Sequence, residues 1–267
     1  MSAVNNKPVT INALLSIMAR LRDPQGGCPW DLQQDFRSVV PYTLEEAYEV
    51  VDAIDSNDPA ALQEELGDLL FQVVFHSQLA SESGWFGFEQ VVEGICEKMI
   101  RRHPHVFAGA DVADAEAQKH EWERHKQREK DGRQAILAGI ARGLPALTRA
   151  DKLQRRAATA GFDWPDSAGV FAKVEEELGE VRDELQGTVD RDALLDECGD
   201  LLFAVVNLLR HAGVDPEAAL RHGNSKFEKR FEQVEALCSQ AGITVSSADL
   251  ETLNLFWEQA KSAEPDG

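Results

Sequence analysis

The chain has 267 residues, 47 of them acidic against 27 basic, and a formal net charge of −20. So acidic a surface lacks the basic footprint that a nucleic-acid backbone requires, and no nucleic-acid partner is expected. A nucleotide is still allowed, because a bound cation reverses the local sign at a carboxylate site.

Met1 to Arg20 lacks a basic start followed by a sustained apolar core, and the strongest apolar run, Leu201 to Leu209, is too short to span a bilayer. Cys28, Cys96, Cys198 and Cys238 are scattered, with no C-x-x-C pair. The expectation is a soluble cytoplasmic protein with reduced thiols and no membrane partner.

Gly27-Cys28-Pro29-Trp30-Asp31 precedes the first long periodic segment. There Leu44, Ala47, Val51 and Ile54 recur at helical steps beside Glu45, Glu46 and Glu49. Asn57-Asp58-Pro59 breaks the chain. A second helix follows, with Leu62, Leu66, Leu69, Leu70, Val73 and Val74 beside Glu64, Glu65 and Asp68. Its apolar arc is wide, so burial on most sides is expected. Lys98-x-x-x-Arg102 comes next, then His103-Pro104-His105, where the proline reads as a helix terminator and packing turn. Trp122-Glu123-x-x-Lys126 closes the half.

A polar stretch, Gln127 to Gln134, and the breaks at Ala138-Gly139 and Gly143-Leu144-Pro145 lead into a predicted helix from Ala146 to Ala160. The whole pattern then recurs. Gly161-Phe162-Asp163-Trp164-Pro165 precedes an acidic helix with Val174, Leu178, Val181 and Leu185 beside Glu175, Glu176, Glu177 and Glu180. After Gly187-Thr188, Leu194, Cys198, Leu201, Leu202, Val205, Val206 and Leu209 mark the second central helix, which carries Asp196, Glu197 and Asp200. Lys226-x-x-x-Arg230 and Trp257-Glu258-x-x-Lys261 complete the copy.

Glu177 lies 131 residues after Glu46 and Asp200 lies 132 after Asp68, so the halves keep one spacing apart from small loop insertions. No alternating β-branched runs bounded by hairpin turns occur. The sequence therefore predicts an all-α chain of two tandem helical-bundle modules. These are residues 1–130 and 146–267, joined by a linker over 131–145.

Three-residue spacing on a helix puts both carboxylates of each pair on one face. Two such helices side by side converge four carboxylates, which calls for a hard divalent cation. Gly67 and Gly199 interrupt the central helices at matching places, each at a cost of about 1 kcal/mol against Ala, and point to close approach of something. No histidine has a glutamate three residues before it, which argues against a di-iron bundle. All-oxygen ligation suits Mg²⁺, with Mn²⁺ as a substitute, and Mg²⁺ commonly works together with substrate phosphates. The repeated Lys-x-x-x-Arg and Trp-x-x-x-Lys fit a phosphate clamp with a stacking surface. Trp257 fits equally a core residue capping the bundle. Lys173 lies one helical turn before the second acidic cluster, where the first half has Tyr42.

The two acidic sets, Cys-Pro-Trp-Asp at 28–31, Arg-Arg-His-Pro-His-Val-Phe at 101–107 and Gly-Phe-Asp-Trp at 161–164 together resemble the MazG family. These are tandem-domain nucleoside triphosphate pyrophosphohydrolases of the all-α pyrophosphohydrolase superfamily. The likeness runs from about Leu14 to Lys261.

It implies a homodimer that hydrolyses nucleoside triphosphates, broadly in base and with Mg²⁺, to a monophosphate and pyrophosphate. Residue by residue, it implies metal ligation by Glu177, Glu180, Glu197 and Asp200, with Glu46, Glu49, Glu65 and Asp68 as the matching set in the first module. Nucleotide contacts fall on Lys173, Glu176, Asp196, Lys226, Arg230, Trp257 and Lys261. The second module is the one usually catalytic in the family, with Glu176, Glu177 and Glu180 as catalytic residues here. One departure stands out: the family often has Glu at the position of Asp196 and Lys near that of Ala193.

Two other classes fit the residues alone: a nucleotide-sensing module without turnover, and a helical adaptor whose acidic faces bind a basic partner. No residue pattern separates adenine from guanine or ribose from deoxyribose.

Overall fold

The computed structural model of the protein describes residues 10–109, 135–186 and 189–263, and among these no strand occurs. The chain divides into two units, Met1–Lys130 and Asp131–Gly267. The Trp122-Glu123-x-x-Lys126 segment and the Gly187-Thr188 break lie outside the described residues.

The first unit contains α1 (Ile11–Leu21), α2 (Pro29–Gln33), α3 (Phe36–Asp55), α4 (Pro59–Glu82), α5 (Phe88–Arg102) and α6 (Pro104–Phe107). Asp35 caps α3 by accepting from the backbone N–H groups of Arg37 and Ser38, both at 2.8 Å. Asp58 caps α4 in the same way, with Pro59 at the first helical position. The short connection turns α4 back along α3, so the two acidic stripes meet. Met18, Val39, Val74, Phe75 and Leu79 form the core under Phe36, Phe71 and Phe88. As the proline predicts, α5 ends at Arg102 and Pro104 opens α6.

Arg22 is the polar anchor of this unit. Its guanidinium donates to both carboxylate oxygens of Glu82, at 2.9 and 2.6 Å, and to the carbonyls of Asp31 and Gln34. These bonds hold the Glu82 carboxyl below the usual range. Gly27 completes the turn, because a Cβ there would run into the backbone of Leu21 and Asp23. Arg22→Leu is expected to destabilise this unit by about 2–3 kcal/mol, since the charge-assisted hydrogen bonds to Glu82, Asp31 and Gln34 all go at once. Urea unfolding followed by helical circular dichroism checks this, and an unchanged midpoint refutes the anchoring role.

The second unit contains α7 (Ala146–Ala158), α8 (Ser167–Gln186), α9 (Arg191–His211), α10 (Pro216–Gln240), a 3₁₀ turn at Val245–Ser247 and α11 (Leu250–Ala263). Asp190 and Asp215 cap α9 and α10. The α8–α9 pair repeats α3–α4, and α7 packs across it and α10. Val234, Cys238 and Ala260 form a second core with Phe256 and Trp257. No helix among the described residues is long and apolar enough to cross a membrane.

Two expectations fail. The central helices are not covered on most sides: Leu66, Leu70 and Val73 of α4 and Leu195, Leu202 and Phe203 of α9 are all exposed. Each central helix packs along one long partner and only parts of its other neighbours, which leaves one apolar face open. Nor, among the described residues, does any other part of this chain approach Gly67 or Gly199, where an added Cβ would meet no atom within 4 Å.

Candidate metal and substrate site

The helical spacing of the sequence places Lys173, Glu176, Glu177 and Glu180 along one side of α8, facing Glu197 and Asp200 on α9. One carboxylate oxygen each from Glu177, Glu197 and Asp200 falls within 4.8 Å of the others. Glu177 is only 3% exposed. Lys173 Nζ meets its Oε1 at 2.6 Å and Glu176 Oε1 at 2.9 Å. Glu177 Oε2 is buried with no hydrogen-bond partner among the described residues.

Glu180 is not one of the three but interacts with two of them, Glu177 and Glu197. Its carboxyl is pushed above the usual range, first by a hydrogen bond with Glu177, then by desolvation and the negative charges of Glu177 and Glu197. Lys173 pulls it the other way, and is itself held well above the ordinary lysine range by Glu177 and Glu176.

A buried, orphaned carboxylate oxygen beside two more carboxylates fits a hard cation. The donor set is all oxygen, which excludes a site built for a soft metal.

The first unit builds the matching cluster from Glu46, Glu49 and Glu65. Desolvation first, then Asp68 and Glu49, push Glu46 up; Glu65 rises by desolvation and the charges of Glu49, Glu64 and Asp68. Gln72 donates to Glu46 at 3.3 Å. Tyr42, at the position of Lys173, makes an edge contact with Trp30 and carries no charge to the acids.

The remaining predicted nucleotide contacts are Asp196, Lys226, Arg230, Trp257 and Lys261. Asp196 and Lys226 are exposed. Arg230 lies 5.8 Å from the Trp257 ring centre, Phe227 packs on the same ring, and Lys261 pairs with Glu258 at 2.6 Å. Arg230, Phe227, Trp257 and Lys261 make a basic and aromatic group on α10 and α11. Trp257 is at once part of the second core and the support of Arg230.

A cavity of about 790 Å³ opens beside Lys173, Glu177 and Asp200 and continues along α9 to Asn207 and Arg210. Its far wall is the Gly161–Trp164 loop. Asp163 fastens that loop, accepting from both terminal nitrogens of Arg210, from His211 Nε2 at 3.1 Å and from the Trp164 N–H at 2.9 Å. The Arg210 bonds hold the Asp163 carboxyl below the usual range. The Trp164 ring lies on Gly169, where a Cβ would come within 2.5 Å of it. From α7, Gln154 donates to the Phe203 carbonyl at 2.8 Å. Sequence reasoning missed Gln154, Asn207 and Arg210, because none carries a local spacing signal. The Asp163–Arg210 pair spans 47 residues.

The family model of the MazG nucleotide pyrophosphohydrolase domain matches twice, over residues 34–107 and 167–235. Both matches contain an acidic cluster. The chain is 48% identical to the nucleoside triphosphate pyrophosphohydrolase of Escherichia coli (strain K12), covering 96% of this chain and 98% of that protein. It is 42% identical to the nucleoside triphosphate pyrophosphohydrolase/pyrophosphatase MazG of Thermotoga maritima, over 96% of this chain and 97% of that one. With a domain match around each cluster and relatives aligned end to end, the chain belongs to the MazG family.

Proposed function

We propose that the second module hydrolyses nucleoside triphosphates to the monophosphate and pyrophosphate, using Mg²⁺, with Mn²⁺ as a substitute. The observation that carries this is Glu177, buried and half-partnered between Lys173 and two further carboxylates, in a chain whose full-length relatives are named for that reaction.

Glu177, Glu180, Glu197 and Asp200 would hold the ion. When bound, it supplies Lewis acidity toward phosphate oxygens and lowers the pKa of a water.

The remaining work belongs to the side chains. Lys173 exchanges its carboxylate partners for a phosphate oxygen, delivering a positive charge where negative charge builds. Glu176, exposed on the same face, is freed by that exchange to orient the attacking water and take its proton. Lys226, Arg230 and Lys261 neutralise the departing pyrophosphate, with Trp257 holding the Arg230 guanidinium over its ring. Asp196 serves as a shortened polar contact to the nucleotide.

The first module, with Tyr42 in place of the lysine, keeps the carboxylates Glu46, Glu49, Glu65 and Asp68 without the phosphate-directed charge. The open apolar faces of α4 and α9 fit a homodimer. Residues 131–145 fit a connector between the modules, and four free cysteines suit a reducing cytoplasm.

Incubation with ATP and Mg²⁺, with products resolved, tests the reading. AMP and pyrophosphate are expected; ADP and phosphate, or saturable binding without products, overturns it.

A further inference from the structure

Lys173 is a charge that the second module has and the first lacks, and further differences between the modules surround it. The first module has Tyr42 at the place of Lys173, Ser38 at that of Gly169 and Gln78 at that of Arg210. The tryptophan of the preceding loop takes a different seat in each. Trp30 makes its edge contact with Tyr42, at the lysine's own position. Trp164 instead lies on Gly169, one helical turn before Lys173 on α8. That seat needs a glycine, because a Cβ at 169 would come within 2.5 Å of the ring. With residue 173 not used as the ring's support, Lys173 Nζ reaches Glu177 and Glu176.

The same loop is tied to the end of α9. Asp163 accepts from both terminal nitrogens of Arg210 and lies 3.1 Å from His211 Nε2. Asp166 accepts from the N–H groups of Ala168 and Gly169 and so opens α8. Residues 163–166 therefore fasten the first turn of α8 to the last turn of α9. Lys173 stands one turn further along α8, and Asp163, Trp164, Lys173 and Arg210 line one cavity. A bidentate charge-assisted pair at one end and a ring lodged on glycine at the other leave that part of α8 little freedom.

We propose that Asp163, Arg210 and Gly169 are positioning residues for the reaction. They brace the start of α8 against the end of α9 and so fix where Lys173 delivers its charge. The role rests on reading Lys173 as the phosphate-directed charge of the second module. It also explains why the module without the lysine has neither the arginine nor the glycine.

The test is a double-mutant cycle on pyrophosphate release from ATP and Mg²⁺ by the full chain, with kcat and KM taken separately. Gly169→Ala pushes the ring off its seat. It is expected to lower kcat about 10-fold in the wild type and to leave it unchanged in Lys173→Met, where no lysine remains to misplace. KM is expected to stay within about 2-fold in both. Asp163→Asn keeps the side chain's shape and gives up the charge that holds Arg210. It is expected to behave likewise, and it decides the matter if Gly169→Ala does not fold. An equal fractional loss in both backgrounds overturns the proposal, since a merely structural brace lowers activity whether or not Lys173 is present. So does an unchanged wild-type kcat, or a loss confined to KM. A wild type that releases no pyrophosphate overturns the hydrolysis reading, and the positioning role with it.

Discussion

Glu177→Gln is expected to lower pyrophosphate release by about 10³-fold with the helical fold intact. Gln has the same shape, so the packing that leaves residue 177 only 3% exposed is kept. What changes is charge and donor sense. Glu177 Oε1 faces Lys173, Oε2 is buried without a partner among the described residues, and one of the two oxygens joins the cluster with Glu197 and Asp200. An amide either points N–H groups at the Lys173 ammonium or puts them in place of the buried Oε2, and it takes one negative charge from any bound cation.

Glu180 gives an internal check. Its raised pKa is due first to its hydrogen bond with Glu177 and also to that residue's negative charge, so the substitution should let Glu180 ionise at lower pH. Pyrophosphate release measured across a divalent-cation titration, with circular dichroism for the fold, decides the matter. Full turnover at saturating cation would sink the assignment. Glu46→Gln, the same change in the first module, should leave turnover nearly untouched if the second module does the work.

For Lys173→Met, kcat/KM for a nucleoside triphosphate is expected to fall about 100-fold. Met preserves most of the stem's packing and removes the ammonium. Glu177 and Glu176 raise the Lys173 pKa above the ordinary lysine range, so it is charged at any ordinary assay pH. Losing that charge does not weaken a cation's attraction to the carboxylates, so divalent-cation binding without nucleotide should hold or tighten while turnover collapses. The pH profile gives the sign independently. Lys173 pulls the Glu180 pKa down, so without it Glu180 retains its proton to higher pH and the acid limb moves upward. If cation binding and turnover fall together, Lys173 merely props Glu177, and its phosphate-directed role is wrong.

How the acidic motifs were legible, and the cavity was not, follows from the range of the forces. Glu177 and Glu180, or Glu197 and Asp200, sit three apart, and helix geometry alone brings each pair to one face. Asn57-Asp58-Pro59 is a local breaker, and the observed cap at Asp58 and start at Pro59 follow from it. Periodicity marks a face as apolar without naming its cover. By periodicity alone Leu66, Leu70 and Leu202 belong to a buried face, and the folded chain leaves them exposed.

The sequence by itself determined the all-α class, the duplication, and the two carboxylate pairs of each copy, because all of these are set by residues within a few helical turns. Only the tertiary structure decided that three of the second copy's carboxylates converge around a buried Glu177 held by Lys173. It alone brought Gln154, Asp163, Phe203 and Arg210 around one cavity. Those residues stand 47 or more apart in the pairs that matter, Asp163 with Arg210 and Gln154 with Phe203. Contacts of that range are fixed by how helices pack, and no local spacing encodes them.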